Sequence, residues 1–203
     1  MIIAVTAFNP SSSRVTRVNA VQMADKEMVG ASTESFLSEG EVYDPLDMLK
    51  LHDRAPTVFP HPKWLRESEL KHCRIAMLAS IGAFTAQWGL AIPGYTPVAS
   101  GDPTENLNQF VLDWPFGFTQ ILFSIALIEG TSFPGEFWFG KGDREAGDLG
   151  YDPLGFFKNK TDAQKEQMQL KELKNGRLAM IAMAAYTAEH WIPGSVPLIP
   201  GKF

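Results

Sequence analysis

The reading of this chain is decided by ELKNGRLAMIAM, residues 172–183, and by its earlier counterpart ELKHCRIAMLAS, residues 69–80. Laid over each other without a gap, they agree at Glu, Leu, Lys, Arg, Ala and Met. The register continues to Trp88 opposite Trp191. Both segments then leave through Ile-Pro-Gly, at Ile92-Pro93-Gly94 and Ile192-Pro193-Gly194. A related turn precedes each copy, Tyr43-Asp44-Pro45-Leu46 and Tyr151-Asp152-Pro153-Leu154. The chain therefore holds two copies of one unit, a turn and a polar-headed apolar helix, with a different segment between them.

Helical geometry gives the polar head a meaning. Glu69 and His72 are three apart and share a face, as do Glu172 and Asn175. Arg74 lies five beyond Glu69, about 140° round the helix, and Arg177 stands in the same relation to Glu172. Neither Arg is placed to neutralise the Glu of its own copy. Each is placed to neutralise the other copy's Glu if the helices cross about a pseudo-two-fold axis, giving Glu69–Arg177 and Glu172–Arg74. Both helices are apolar beyond this point, and an unpaired charge at membrane depth costs about 2.5–3.5 kcal/mol. Reciprocal pairing removes that cost. It is expected to leave each carboxylate one free oxygen on the outer face, beside a His or an Asn. Such a row of neutralised single ligands suits a hard ion such as magnesium.

ExxHxRxAM in the first copy and ExxNGRLAM in the second resemble the light-harvesting chlorophyll-binding superfamily of thylakoids. The resemblance runs from about residue 43 to 193. It implies an all-α membrane protein with three transmembrane helices, the first and third crossed about a pseudo-two-fold axis, over residues 43–203. The only metal it implies is the magnesium of chlorophyll.

Bulk properties agree with a single domain of 203 residues. The net charge of −5 gives no basic footprint for nucleic acid. One cysteine, Cys73, excludes an intrachain disulfide framework. It reads as a small residue at a helix contact. Mean hydropathy is near neutral, because three apolar runs are diluted by polar, Pro- and Gly-rich loops.

Residues 1–24 lack acids and carry Arg14 and Arg17, a transit-peptide composition. Thr6-Ala7-Phe8-Asn9-Pro10 is similar to the Ala-x-Ala-Phe-x-Pro junction of presequences in plastids acquired by secondary endosymbiosis. Residues 1–42 are thus a targeting remnant or an extended stromal tail. The Asp-Pro turns at Tyr43, Asp44, Pro45, Leu46 and at Tyr151, Asp152, Pro153, Leu154 are implied by the resemblance to contact carotenoid end groups and a pigment at the stromal surface. His52 and His61, before the first helix, are candidates for peripheral chlorophylls.

The first helix is expected over residues 66–91, with an apolar part from Ile75 to Ile92 near the roughly 20 residues that cross a bilayer. Ala76, Ala79, Gly82, Ala83 and Ala86 recur at spacings of three and four, the close-approach pattern of membrane helix pairs. Residues 94–110 read as a loop. The second helix is expected from Trp114-Pro115 to about residue 130. It carries Gln120 and Glu129, two and a half turns apart; the family's middle helix uses a Gln and a terminal Glu as chlorophyll ligands. The third helix is expected over 166–191, with Gly176 inside it. An interior glycine costs about 1 kcal/mol, which a close crossing or a porphyrin ring at the backbone would offset. The family has a Gln fourteen residues after the Asn, and Glu189 stands there instead. His190 lies five turns from Glu172, on the same face, and aligns with Gln87. The choice between Glu189 and His190 as a lumenal-side ligand stays open.

Lysines 158, 160, 165, 171 and 174 precede the third helix, and Lys63, Arg66 and Lys71 precede or open the first. Both helices therefore enter from one basic side, predicted to be stromal. A middle helix running back brings Glu129 to that side. The resulting ligand set is Glu69, His72, Gln120, Glu129, Glu172, Asn175 and Glu189 or His190, with Gln87, His61 and His52 as further candidates.

The short loops and the ELKHCR/ELKNGR pair are most similar to chlorophyll a/c antennae that use fucoxanthin. The cofactors implied are chlorophyll a, chlorophyll c, and fucoxanthin or related xanthophylls such as diadinoxanthin, with β-carotene as a further candidate. The partners implied are a photosystem core (I or II), neighbouring antenna subunits and thylakoid lipids. A quenching, photoprotective relative shares these ligands. A transporter would need broken helices around a central site, and a pigment-free scaffold leaves His72, Asn175 and Glu129 unexplained. A soluble enzyme is disfavoured by the lack of a nucleophile–base set, a phosphate loop or zinc spacing.

Overall fold

The structure is a computed structural model that describes residues 29, 44–90, 102–158 and 160–196. Tyr43 and the Ile92-Pro93-Gly94 exit lie outside the described residues, as do residues 1–28. Among the described residues there are five α-helices, a 3-10 turn and no strand: α1 (Met48–Arg54), α2 (Pro62–Gln87), α3 (Pro103–Asp113), α4 (Pro115–Thr131), the turn Gly135–Phe139, and α5 (Asp162–Trp191). The chain divides into two units, Met1–Leu65 with Glu136–Gly142, and Arg66–Gly135 with Asp143–Phe203.

In the first unit, α1 was not foreseen. The turn motif makes it. Both carboxylate oxygens of Asp44 accept backbone N–H bonds, from Met48 and Leu49, at 2.9 Å each. Two orphan donors of a new helix are thereby satisfied. The 3-10 turn is held against the start of α2 by the His61 N–H donating to the Trp138 carbonyl (3.1 Å) and by Lys63 Nζ donating to the Gly142 carbonyl (2.6 Å). Lys63 also lies over the Phe137 ring, 4.3 Å from its centre.

α2 starts four residues before the expected position and stops four short. Pro62 is tolerated at a first helical position because the N–H it lacks has no helical partner there. The stop is a Schellman motif. Gly89 adopts φ +69, its N–H reaches the Ala86 carbonyl (3.1 Å), and the Leu90 N–H reaches Thr85 (3.0 Å). α5 also begins early, at Asp162, because Thr161 and Gln164 form a capping box. Residues 103–110, expected as loop, lie in α3. Asp102 Oδ1 accepts from the Thr104 N–H at 2.8 Å, and Pro103 opens the helix.

In the second unit, α2 and α5 meet where the repeat aligns. Leu70, Cys73 and Leu173 form its buried cluster, with Met180 against it. Gly176 of α5 and Cys73 of α2 are equivalent positions of the two copies, and they touch. A Cβ placed on Gly176 would lie 2.3 Å from Cys73 Cβ. The glycine is there because two backbones approach too closely for any side chain.

Among the described residues, no single helix is both long and apolar enough to cross a membrane. α3 and α4 meet the requirement together but are bent by 108°. α2 and α5 have 26 and 30 residues, about 39 and 45 Å long, yet they are charged in their first halves. α4 is apolar but has 17 residues, about 26 Å. Its residues are mostly apolar, and none of them is buried among the described residues.

Candidate functional site

The polar heads of α2 and α5 bring four charges together. Arg74 Nε donates to Glu172 Oε1 at 2.7 Å. Arg177 gives Glu69 Oε1 both Nε (2.8 Å) and Nη2 (2.7 Å). Each Glu is thus neutralised from the other helix. Sequence spacing missed one further partner: Arg66, one turn before Glu69, donates Nη1 to Glu69 Oε2 at 3.2 Å. Contrary to the expectation, Glu69 keeps no fully free oxygen, since Oε2 takes Arg66, and its remaining ligand capacity is a second lone pair. For Glu172 the bond to Arg74 is made on Oε1.

His72 is exposed, and its Nδ1 lies 2.7 Å from the Ser68 carbonyl. A carbonyl only accepts, so Nδ1 carries the proton and the lone pair sits on Nε2. This is the arrangement in which a metal-ligating histidine is held by an outer partner. Asn175, its counterpart on α5, is likewise exposed. Glu129, at the end of α4, is paired through Oε2 with Lys71 of α2, which leaves Oε1. Gln120 is exposed on α4. Among the described residues no three His, Cys, Asp or Glu converge on one point. The candidates stand singly along the helices, each with an apolar flank.

The far end of α5 separates the two residues left open by sequence. Glu189 is buried, and its carboxylate accepts from the Gly194 N–H (2.8 Å), the Val196 N–H (2.9 Å) and Ser195 Oγ (3.3 Å). It closes the turn that ends its own helix. His190 is half-buried, with Nδ1 3.6 Å from Asp102 Oδ2. Gln87 is the last residue of α2, and its side chain lies outside the described set.

The two early histidines are packed rather than presented. His52 is buried, its Nδ1 donates to the Phe59 carbonyl at 2.8 Å, and its ring meets His61 edge-on at 5.1 Å. His61 accepts the Lys63 N–H on Nδ1 at 3.1 Å, so in the neutral ring its proton is on Nε2 and that nitrogen cannot ligate. Burial pushes the His61 pKa down, with His52 adding to it, which keeps the ring neutral. His52 keeps the lone pair on Nε2 but is buried with it, whereas the Nδ1 of His61 is taken by the Lys63 N–H.

The two Asp-Pro turns share one geometry. Asp152 accepts from the Phe156 N–H (3.0 Å) and the Phe157 N–H (2.9 Å), as Asp44 does from residues four and five ahead of it. These backbone donors, Phe157 first, hold the Asp152 carboxyl below its usual pKa. Pro45 and Pro153 follow each Asp, and Leu46 and Leu154, at matching places, are each 76% exposed.

Comparison with known proteins adds the ancestry. The profile of the family described as chlorophyll A-B binding protein matches residues 31–191. The chain is similar to a fucoxanthin-chlorophyll a-c binding protein of Chattonella marina var. antiqua, 33% identical over 82% of this chain and 73% of that one. It is 34% identical to light-harvesting complex stress-related protein 3.2 of Chlamydomonas reinhardtii, over 92% and 71%. It is also 34% identical to a fucoxanthin-chlorophyll a-c binding protein of Isochrysis galbana, over 75% and 73%. Two copies of one polar-headed helix, tied by exchanged Glu and Arg, and a family profile matched over residues 31–191 make this chain a member of the light-harvesting, chlorophyll-binding chlorophyll a-b binding protein family.

Proposed function

We propose that the chain is a light-harvesting antenna of the plastid thylakoid membrane that binds chlorophylls and carotenoids and delivers excitation to a photosystem. The observation that carries this reading is the crossed pair of α2 and α5. Their carboxylates are neutralised across the crossing, while His72 and Asn175 are exposed and Arg74 bonds Glu172 through Oε1. The residues suit the axial position of a magnesium tetrapyrrole, which asks for one neutral or neutralised oxygen or nitrogen donor. The holders in this reading are Glu69, His72, Gln120, Glu129, Glu172, Asn175 and His190. Chlorophyll supplies the absorption; the protein supplies spacing, orientation and exclusion of water.

In this reading α2, α4 and α5 are three spans, with the N-terminus stromal and α2 and α5 related by a pseudo-two-fold axis. The Glu69, Arg74, Glu172 and Arg177 charges of α2 and α5 are admitted to membrane depth by their ion pairs. The Asp44 and Asp152 turns, with exposed Leu46 and Leu154, present the surface for carotenoid ends. The pigments proposed are chlorophyll a, chlorophyll c and fucoxanthin or a related xanthophyll, after the names of the Chattonella and Isochrysis relatives. The partners are a photosystem core, other antenna subunits and thylakoid lipids, in an alga with a plastid of secondary origin.

A second reading, photoprotective quenching, is favoured by the similarity to the Chlamydomonas stress-related protein. The fluorescence excitation spectrum of the native protein in mild detergent, monitored at chlorophyll a emission, separates them. Carotenoid and accessory-chlorophyll bands that drive the emission support the antenna. Strong absorption with quenched emission supports photoprotection. A protein that binds no pigment overturns both.

A further inference from the structure

One loop between α4 and α5 grips α2 through residues that the ligand set does not use. Gly147 is buried, adopts φ +83, and comes so close to α2 that a Cβ on it would stand 2.3 Å from Leu70 Cδ1. Its peptide groups are held at both ends. The N–H donates to Glu67 Oε2, and the C=O accepts from Arg74 Nη2 at 2.9 Å. Glu67, Leu70 and Arg74 are spaced by three and four, one face of α2. Arg144 closes the grip from the loop side, giving Nη2 to Glu67 Oε1 (3.2 Å) and Nη1 to the Asp148 carbonyl (2.8 Å). Glu67 is itself only 9% exposed, and its carboxylate is spent on this loop.

The consequence falls on Arg74. Its Nε holds Glu172 while its Nη2 holds the loop, so the plane of the guanidinium is fixed at two points. A planar, two-point guanidinium fixes its partner's orientation as well as its charge. The other copy lacks this device. The position equivalent to Glu67 is Leu170, and Arg177 gives both of its bonded nitrogens to Glu69.

We propose that Glu67, acting through Gly147 and Arg74, is a positioning residue that sets the orientation of the Glu172 carboxylate, and so distinguishes the pigment held at Glu172 from the one held at Glu69. This rests on the reading of Glu172 and Glu69 as chlorophyll ligands. Outer partners of this kind change the affinity of the group they support about 10–100-fold.

The test uses the full chain, reconstituted in detergent with chlorophylls and carotenoids, read by visible circular dichroism and pigment retention. Glu172→Leu and Glu69→Leu are made first, and each difference spectrum against the parent defines one band. If neither removes a band, the underlying ligand reading fails, whatever Glu67 does. Given the two bands, Glu67→Leu, which installs the residue of the second copy, is expected to shift or lose the Glu172 band and leave the Glu69 band in place. Gly147→Ala is expected to do the same from the loop side. Gly150→Ala, at a site where an added Cβ meets nothing, is the control for loop disturbance in general. Loss of both bands to the same degree by Glu67→Leu and by Gly147→Ala would show a merely structural loop and overturn the proposal. So would an unchanged Glu172 band in both variants.

Discussion

The two copies of the repeat share their chemistry and differ in how it is partnered. Glu69 is held by two arginines, Arg66 and Arg177; Glu172 is held by Arg74. Arg74 divides its nitrogens between a carboxylate and a loop carbonyl, whereas Arg177 gives two to one oxygen. His72 has its tautomer fixed by Ser68, while the position equivalent to His72 is an Asn, which has no tautomer to fix. The Asp44 turn opens a helix; the Asp152 turn, with the same bonds, does not. Duplication supplies a crossing whose charges cancel. The neighbours of each copy then make its ligands unlike, which is what separate pigment sites in one small domain require.

The largest effect expected is from Arg74→Leu. On the proposed function it leaves Glu172 without its ion-pair partner at membrane depth and should cost about 3 kcal/mol, read as an earlier thermal loss of pigment circular dichroism. Arg177→Leu should cost about 1 kcal/mol, since Arg66 still holds Glu69. Equal losses would erase the inequality drawn here.

Next comes the crossing point. Gly176→Cys forces a side chain into Cys73 and should cost about 1–3 kcal/mol. Adding Cys73→Gly exchanges the two equivalent positions. If the copies are interchangeable at the crossing, the double variant recovers most of the loss in the same melt; a double variant no better than the single one would mean that the backbones are not equivalent there. Glu69→Gln should be milder than Arg177→Leu, below about 1 kcal/mol, because it removes a charge without stranding a carboxylate.

The smallest effect is confined to the second turn. The Asp152 carboxyl is held below its ordinary pKa of 3.8 by the Phe157 and Phe156 N–H groups. A lowered folded-state value gives stability that is present above the unfolded value and lost as pH falls through the folded one. Exchange of the Phe156 and Phe157 amides should therefore accelerate only below about pH 4, and Asp152→Asn should remove that acid step.

Much of this was legible in the sequence. A spacing of five between Glu and Arg, repeated, directs each Arg away from its own Glu, and the side chains stand at Arg74–Glu172 and Arg177–Glu69. Gly176 was readable as a close crossing or a place for a porphyrin ring, and Cys73 as a small residue at a helix contact, but their meeting each other was not. What escaped was local bonding. Gly89 ends α2 through its positive φ, a stop that the apolar run up to Ile92 masked. Thr161 and Gln164 start α5 early through a capping box that was present in the letters and passed over. Glu189 and His190 are adjacent residues of similar promise, and only the backbone donors at Gly194 and Val196 tell them apart. Lys71 on Glu129 and Glu67 on Gly147 join residues far apart in the chain, which periodicity does not reach.

The bare surface of α4 has a consequence for supply inside the cell. α4 is mostly apolar and buries no side chain against the described residues. On the proposed function its folding is underwritten by what binds around it, and a ligand specific to the folded form adds about 2.7 kcal/mol at a hundredfold excess over its dissociation constant. Pigment synthesis would then govern how much of the protein persists, and chains made in darkness or during pigment shortage would be the ones open to proteases.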